Sequence, residues 1–98
     1  MAEILRVYWG EIHGRHVCTL HWNIVRQESV VVVTASEGDR LTTTYPNRWV
    51  GDARITVNNI APYFGGVVFR LTIEWNHPLH IWTDVILFDP RDQPRIVF

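Results

Sequence analysis

Two pairs of histidines are the residues in this sequence best suited to metal chemistry. His13 and His16 are separated by two residues, and His77 and His80 repeat that spacing. Neutral imidazole binds Zn²⁺ or Cu²⁺ at pH 7, so four such side chains brought together would form a metal site. Histidine is also common at strand ends, where its ring covers the core and one nitrogen is solvated. We favour this second interpretation, and we expect no metal or other cofactor.

Aromatic side chains in predicted turns and loops are the more informative group. The candidates for ligand contact are Tyr45, Asn47, Trp49, Tyr63 and Phe64. Planar rings in such positions stack on the C–H face of a sugar, while neighbouring polar groups bind its hydroxyls. The same residue types dominate the hot spots of protein interfaces. Alternatively, these rings fold back and cover an open end of the domain, a role for which Trp49 is especially suited.

Catalytic motifs are absent from the sequence. It contains no Gly-rich phosphate loop, no G-x-S-x-G elbow and no H-E-x-x-H pair. Neither of its serines, Ser29 and Ser36, stands in the context of a nucleophile. The single cysteine, Cys18, excludes an internal disulfide and lies in a strand-like run, where we expect a buried and inert thiol. The sequence therefore predicts a protein that is not an enzyme.

Length and composition restrict the class of protein further. The 98 residues suffice for one domain, 1–98, and 47% hydrophobic residues with 19% charged residues are typical of a globular fold. A net charge of −1 argues against a general nucleic-acid binder. Apolar runs such as Val30–Val33 are far shorter than the ~20 residues that cross a bilayer. Because no signal peptide is visible, we expect a soluble cytoplasmic protein, with non-classical export as the alternative.

The apolar pattern predicts a chain built of β-strands. No segment has a sustained helical period, and β-branched or aromatic residues dominate outside the turns. The predicted strands are 4–12, 16–26, 29–34, 53–60, 67–76, 80–88 and 95–98. The segment 35–52 is the one long irregular stretch, and it either holds a short edge strand at 41–44 or is a functional loop.

About seven short strands with regular turn signals indicate an all-β, single-domain fold. We predict an antiparallel two-sheet β-sandwich, with a small closed β-barrel as the alternative. Alternate residues of these strands form the predicted core, which consists of Trp22, Ile24, Ile55, Val57, Phe69, Leu71, Ile73 and Trp75.

A second set of alternating residues forms a polar sheet face. Its members are Thr19, His21, Asn23, Arg54, Thr56, Asn58, Arg70, Thr72, Glu74 and Asn76. These short hydrogen-bonding side chains suit a carbohydrate or a wet protein interface. They also suit an ordinary solvated sheet, in which cross-strand pairs satisfy one another, and we favour that interpretation.

Strand direction decides which of these groups meet. If the long segment 35–52 leaves and returns at the same end of the domain, both histidine pairs lie at that end with Asp39 and Trp49. The turn 62–66 then lies at the opposite end. The first and sixth predicted strands are apolar on both faces, so the long segment or a second copy of the chain must cover one of them.

The leading functional hypothesis is a non-enzymatic, lectin-like recognition module that binds a glycan, with a protein ligand as its nearest competitor. The second hypothesis is a structural protein that forms a homo-oligomer or binds a protein partner. The third is a metal-binding protein that uses the four paired histidines. Neither a nucleic-acid partner nor membrane insertion is expected.

Overall fold

The computed structural model describes residues 2–41, 46–89, 91 and 94–98. Within these ranges the chain forms seven β-strands: β1 (Glu3–Ile12), β2 (Gly14–His21), β3 (Val31–Gly38), β4 (Arg48–Trp49), β5 (Arg54–Tyr63), β6 (Gly66–Glu74) and β7 (Leu79–Leu87). A four-stranded sheet has the order β1-β7-β3-β4, and a three-stranded sheet has the order β2-β6-β5. All pairings are antiparallel, which confirms the predicted all-β two-sheet fold. The described residues include no helix that could span a membrane.

The core lies between the two central strands, β6 and β7. Inward residues of β6, among them Phe69, Leu71 and Ile73, are almost completely buried, whereas Arg70 between them is exposed. Ile81 and Val85 of β7, which belongs to the opposite sheet, are equally buried. This alternation follows from the two-residue period of a β-strand, and the predicted burial of Phe69, Leu71 and Ile73 is confirmed.

Strand β1 contains a bulge beside two neighbouring aromatic residues, Tyr8 and Trp9. Its pairing with β7 shifts between Tyr8 and Gly10, and Gly10 has a positive φ of 89°. Trp9 points inward by ordinary strand alternation, and its indole Nε1 donates a hydrogen bond to Thr83 Oγ1 at 2.7 Å. Tyr8 points outward beside Trp82. The extra residue of the bulge shifts the alternation of the residues that follow it, so that Ile12 also packs against the core.

The predicted second strand, 16–26, ends earlier than expected, at His21. The chain then turns, and it is attached to the β5–β6 turn by hydrogen bonds from Trp22 N to Gly65 O and from Gly65 N to Val25 O, both 2.9 Å. This turn buries Val25 completely and leaves Ile24 exposed. The expectation that Ile24 is a core residue is therefore wrong, because the strand alternation ends before it.

The long segment 35–52 is partly strand. Strand β3 continues to Gly38, and Glu37 and Gly38 pair with Trp49 and Arg48 of β4. The expected edge strand at 41–44 falls mainly outside the described residues, and Leu41 is in a bend. Glycine is required at position 38 because a Cβ there would lie 2.7 Å from the Asn47 carbonyl oxygen.

Two further expectations are wrong. Residues 95–98 form no strand, and Ile96, Val97 and Phe98 are exposed. Trp75, expected in the core, is 37% exposed because β6 ends at Glu74 and the chain turns there. Its ring lies edge-on to His77 at 5.8 Å instead of packing between the sheets.

Candidate functional site

The strand register places the predicted ligand contacts at opposite ends of the domain. Asn47 and Trp49 flank Arg48 at the end where β3 finishes and β7 begins. Tyr63 pairs with Gly66 at the other end, next to Phe64 in the β5–β6 turn. Because β6 connects these ends over nine residues, they are about 25–30 Å apart. No small ligand contacts both groups, and Tyr45 lies outside the described residues.

The end of the domain that holds Tyr63 and Phe64 is stabilised by contacts within the chain itself. Phe64 is 77% exposed, but the Arg26 guanidinium lies 4.7 Å from its ring centroid. Arg26 also donates a hydrogen bond to the Asn23 carbonyl at 2.9 Å. A cation–π contact at an exposed site contributes about 0.5–1 kcal/mol, so this pair helps to hold the two turns together.

Both histidine pairs lie at the end that holds Trp49. His13 separates β1 from β2, and Gly14 immediately after it pairs with Ile73 near the end of β6. His77 lies in the short β6–β7 connection, and His80 pairs with Glu11. Since β3 also ends here and β5 begins here, the long segment leaves and returns on this side.

The histidines form separate local contacts. His16 Nε2 donates to the His13 carbonyl at 2.8 Å, and His77 Nε2 accepts from the Trp75 indole at 3.3 Å. His80 contacts the Tyr8 hydroxyl through Nδ1 at 2.7 Å. Among the described residues, no group of three or more His, Cys, Asp or Glu side chains is arranged to hold a metal ion. This part of the chain therefore presents no metal centre.

Cys18 lies in the core opposite Phe69 and is buried. Burial raises the pKa of its thiol, because the charged thiolate loses its hydration. A thiol in this state is a poor nucleophile. The residue therefore contributes to packing and offers no reactive group to a ligand.

A second apolar cluster covers the outer face of the four-stranded sheet. Trp82 is 4% exposed, and its ring lies 4.9 Å from that of Tyr8. Its indole Nε1 donates a hydrogen bond of 2.6 Å to the carbonyl of Asp39, which belongs to the long segment. The sequence pattern alone does not predict this cluster. The feature of the sequence that indicates it is the sixth predicted strand, which is apolar on both faces.

A carboxylate connects three strands beside this cluster. Asp84 of β7 accepts two hydrogen bonds from Arg6 of β1, at 2.7 and 3.0 Å, and one from Arg48 of β4 at 2.7 Å. The hydrogen bond from Arg6 is the main cause of the lowered pKa of Asp84, and Arg48 lowers it further against the opposing effect of burial. The bridge therefore stabilises the fold above the ordinary carboxyl pKa and is lost as the pH falls through the lowered value.

A groove lies along the edge of β3 where β4 stops pairing with it. Its volume is about 280 Å³, and it is lined by Thr34, Ala35, Ser36, Arg48, Trp49 and Val50. Trp49 is 46% exposed, so its indole does not simply cover the core. Within the described part of the chain, Ser36 Oγ is buried without a hydrogen-bond partner. The groove thus combines an accessible aromatic ring with polar groups.

Comparisons with models of protein families, with curated proteins and with solved structures found no match. The chemistry of the groove is therefore argued from the residues that line it, among them Thr34, Arg48 and Trp49.

Proposed function

We propose that the protein is a non-enzymatic recognition module that binds a carbohydrate in the groove beside Trp49. The observation that carries this proposal is the half-exposed indole of Trp49 next to a groove of about 280 Å³. The ring offers a flat apolar surface to the C–H face of a sugar. Thr34 and Arg48 line the same groove, and a hydroxyl and a guanidinium are groups that bind sugar hydroxyls.

The position of Arg48 supports this assignment because it is held in place before a ligand arrives. Its guanidinium is anchored on Asp84 at 2.7 Å, and its strand pairs with the end of β3. A side chain ordered in advance loses less entropy on binding than a mobile one.

Replacement of Trp49 tests the proposal. We expect Trp49→Ala to weaken glycan binding by more than about tenfold, because it removes the central aromatic contact. Its melting temperature should change little, since the side chain is already 46% exposed in the native protein. A glycan array identifies the ligand, and titration of each variant followed by tryptophan fluorescence measures the affinity.

Phe64→Ala is the matched control, because it removes an exposed aromatic ring at the opposite end of the domain. We expect its affinity for the glycan to equal that of the unaltered protein. An array without a bound glycan, or equal binding by Trp49→Ala, contradicts the proposal. A large drop in the melting temperature of Trp49→Ala would show instead that the ring covers the core.

We propose self-association as the second candidate function, supported by the uncovered half of the four-stranded sheet. Ile4, Ile86 and Val32 pair in one row across β1, β7 and β3, and Ile4 and Val32 are exposed. Val30 and Phe88 continue this outer apolar patch and are also exposed. A contiguous apolar surface on a small protein is typical of an interaction site, and a second copy of the chain presents a matching patch.

Sedimentation equilibrium tests self-association. We expect a dimer or larger species at tens of micromolar protein, and dissociation to an 11.5 kDa monomer in the double variant Ile4→Glu/Val32→Glu. Leu41→Glu/Val17→Glu serves as the control, because it places the same two charges at exposed apolar residues outside the patch. A monomeric unaltered protein, or a double variant that remains associated, contradicts this candidate.

A further inference from the structure

The outer face of the three-stranded sheet contains a polar depression that the proposed function does not use. Its volume is about 420 Å³, larger than that of the groove beside Trp49. The strand register forms it from two adjacent rows: Val17–Arg70–Asn58 and Arg15–Thr72–Thr56. Both rows cross all three strands of the sheet, so the depression lies over its centre.

The depression has an excess of positive charge. Neither Arg15 nor Arg70 has a hydrogen-bond or ion-pair partner among the described residues, and both are exposed. Arg54 and Glu74 form a pair of 3.6 Å at the margin, where both side chains are largely solvated. The face thus presents three guanidinium groups against one carboxylate, although the whole chain has a net charge of −1.

The two unpaired arginines are close enough to contact one ligand. Arg15 pairs with Thr72, which is two residues from Arg70, so the arginines occupy diagonal positions on neighbouring strands. Such positions have Cα atoms about 7–8 Å apart, well within reach of two long side chains. A guanidinium group binds carboxylate or sulfate through two parallel N–H donors. Two of them on one face therefore favour a ligand with more than one oxyanion.

Uncharged polar side chains occupy the space between and beside the arginines. Thr56 and Thr72 provide hydroxyls, and Asn58 provides an amide. A bulge in β5 adds Asn59, whose left-handed φ of 54° fits an asparagine better than most residues. These groups suit a hydroxyl-rich ligand. The lining includes no Phe, Tyr or Trp, the rings on which single-stranded nucleic acids stack.

We propose that this face binds an acidic saccharide, with its carboxylate or sulfate groups on Arg15 and Arg70. The threonine hydroxyls and the amides of Asn58 and Asn59 bind the sugar hydroxyls. The site is separate from the Trp49 groove and does not depend on the function proposed for that groove. Carboxylate and sulfate share the chemistry that the arginines recognise, so the probes below distinguish between them.

Binding to defined polysaccharides tests this site. The probes are dextran sulfate, polygalacturonate, unmodified dextran and poly-glutamate, each titrated by isothermal calorimetry at low and high salt. We expect binding of one or both acidic polysaccharides, weakening as salt screens the charges, and none of unmodified dextran. Arg15→Gln/Arg70→Gln should lower the affinity by roughly tenfold or more, because each arginine contributes charge-assisted hydrogen bonds.

Arg26→Gln/Arg95→Gln is the matched control, since it also removes two positive charges, both from exposed arginines outside the sheets. We expect it to bind as the unaltered protein does. Equal weakening in this control shows that net charge alone governs binding and overturns the proposal. Poly-glutamate bound as tightly as the saccharides, or no acidic polysaccharide bound, overturns it as well. Because the unaltered Trp49 is present in both arginine variants, failure here leaves the groove proposal untouched.

Discussion

Phe69→Ala is expected to leave the protein largely unfolded or close to its unfolding transition at 25 °C. Phe69 is 1% exposed, and the ring of Trp9 contacts it edge-on with centroids 5.7 Å apart. Replacing a buried phenylalanine with alanine costs about 3–5 kcal/mol, because the contacts disappear and a cavity remains. That loss is most of the ~5–10 kcal/mol expected for a domain of this size. Urea unfolding followed by circular dichroism measures it.

Trp75→Ala is the informative comparison for Phe69→Ala. The sequence pattern assigns both residues to the same inward face of one strand, which predicts similar losses. The structure leaves Trp75 37% exposed beyond the end of β6, so we expect a cost of about 1 kcal/mol or less. Equal destabilisation by the two variants would contradict the position of Trp75 described here.

Trp82→Ala is expected to destabilise the protein by about 3–5 kcal/mol, although the residue lies on the outer face of its sheet. The indole is 4% exposed, packs against Tyr8 and donates a hydrogen bond to the Asp39 carbonyl at 2.6 Å. Asp39 in turn is joined to Asn47 by a backbone hydrogen bond of 3.0 Å. Loss of the ring should therefore release the segment that positions β4 and Trp49.

Hydrogen exchange distinguishes global destabilisation by Trp82→Ala from local release of the segment that positions β4. The amides of Asp39 and Asn47 are both hydrogen-bonded, and we expect them to exchange faster in Trp82→Ala than the amides of β6. Trp82→Phe keeps much of the packing and removes the donor to Asp39, so it should cost about 1 kcal/mol. Unchanged protection at Asp39 and Asn47 in Trp82→Ala would show that Trp82 does not hold this segment.

The candidate groove depends on the outer cluster more than on the core between the sheets. Arg48 and Trp49 belong to a two-residue strand, which makes few backbone hydrogen bonds of its own. The Arg48–Asp84 ion pair and the burial of Trp82 therefore supply most of its attachment. We conclude that the site is positioned by contacts between elements distant in sequence.

Several features could be predicted from the sequence alone. The two-residue period of the segment from Val67 to Ile73 is sufficient to identify a strand and its buried face. Alternation of strand direction also predicts that both histidine pairs lie at one end if the long segment leaves and returns there, and the structure meets that condition. These features depend on local geometry, in which successive side chains of a strand point to opposite sides.

Other features depend on contacts between distant parts of the chain. The residues of an apolar strand do not indicate which of its faces another segment covers. The burial of Trp82 therefore could not be predicted, because it depends on Asp39 and Arg48, which are distant in sequence. The ends of strands could not be predicted for the same reason. Val25 is buried and Ile24 is exposed because the turn is attached to Gly65. Local periodicity therefore determined the strands and the inner face of β6, and only the tertiary structure decided which outer surfaces are covered and which remain available to a ligand.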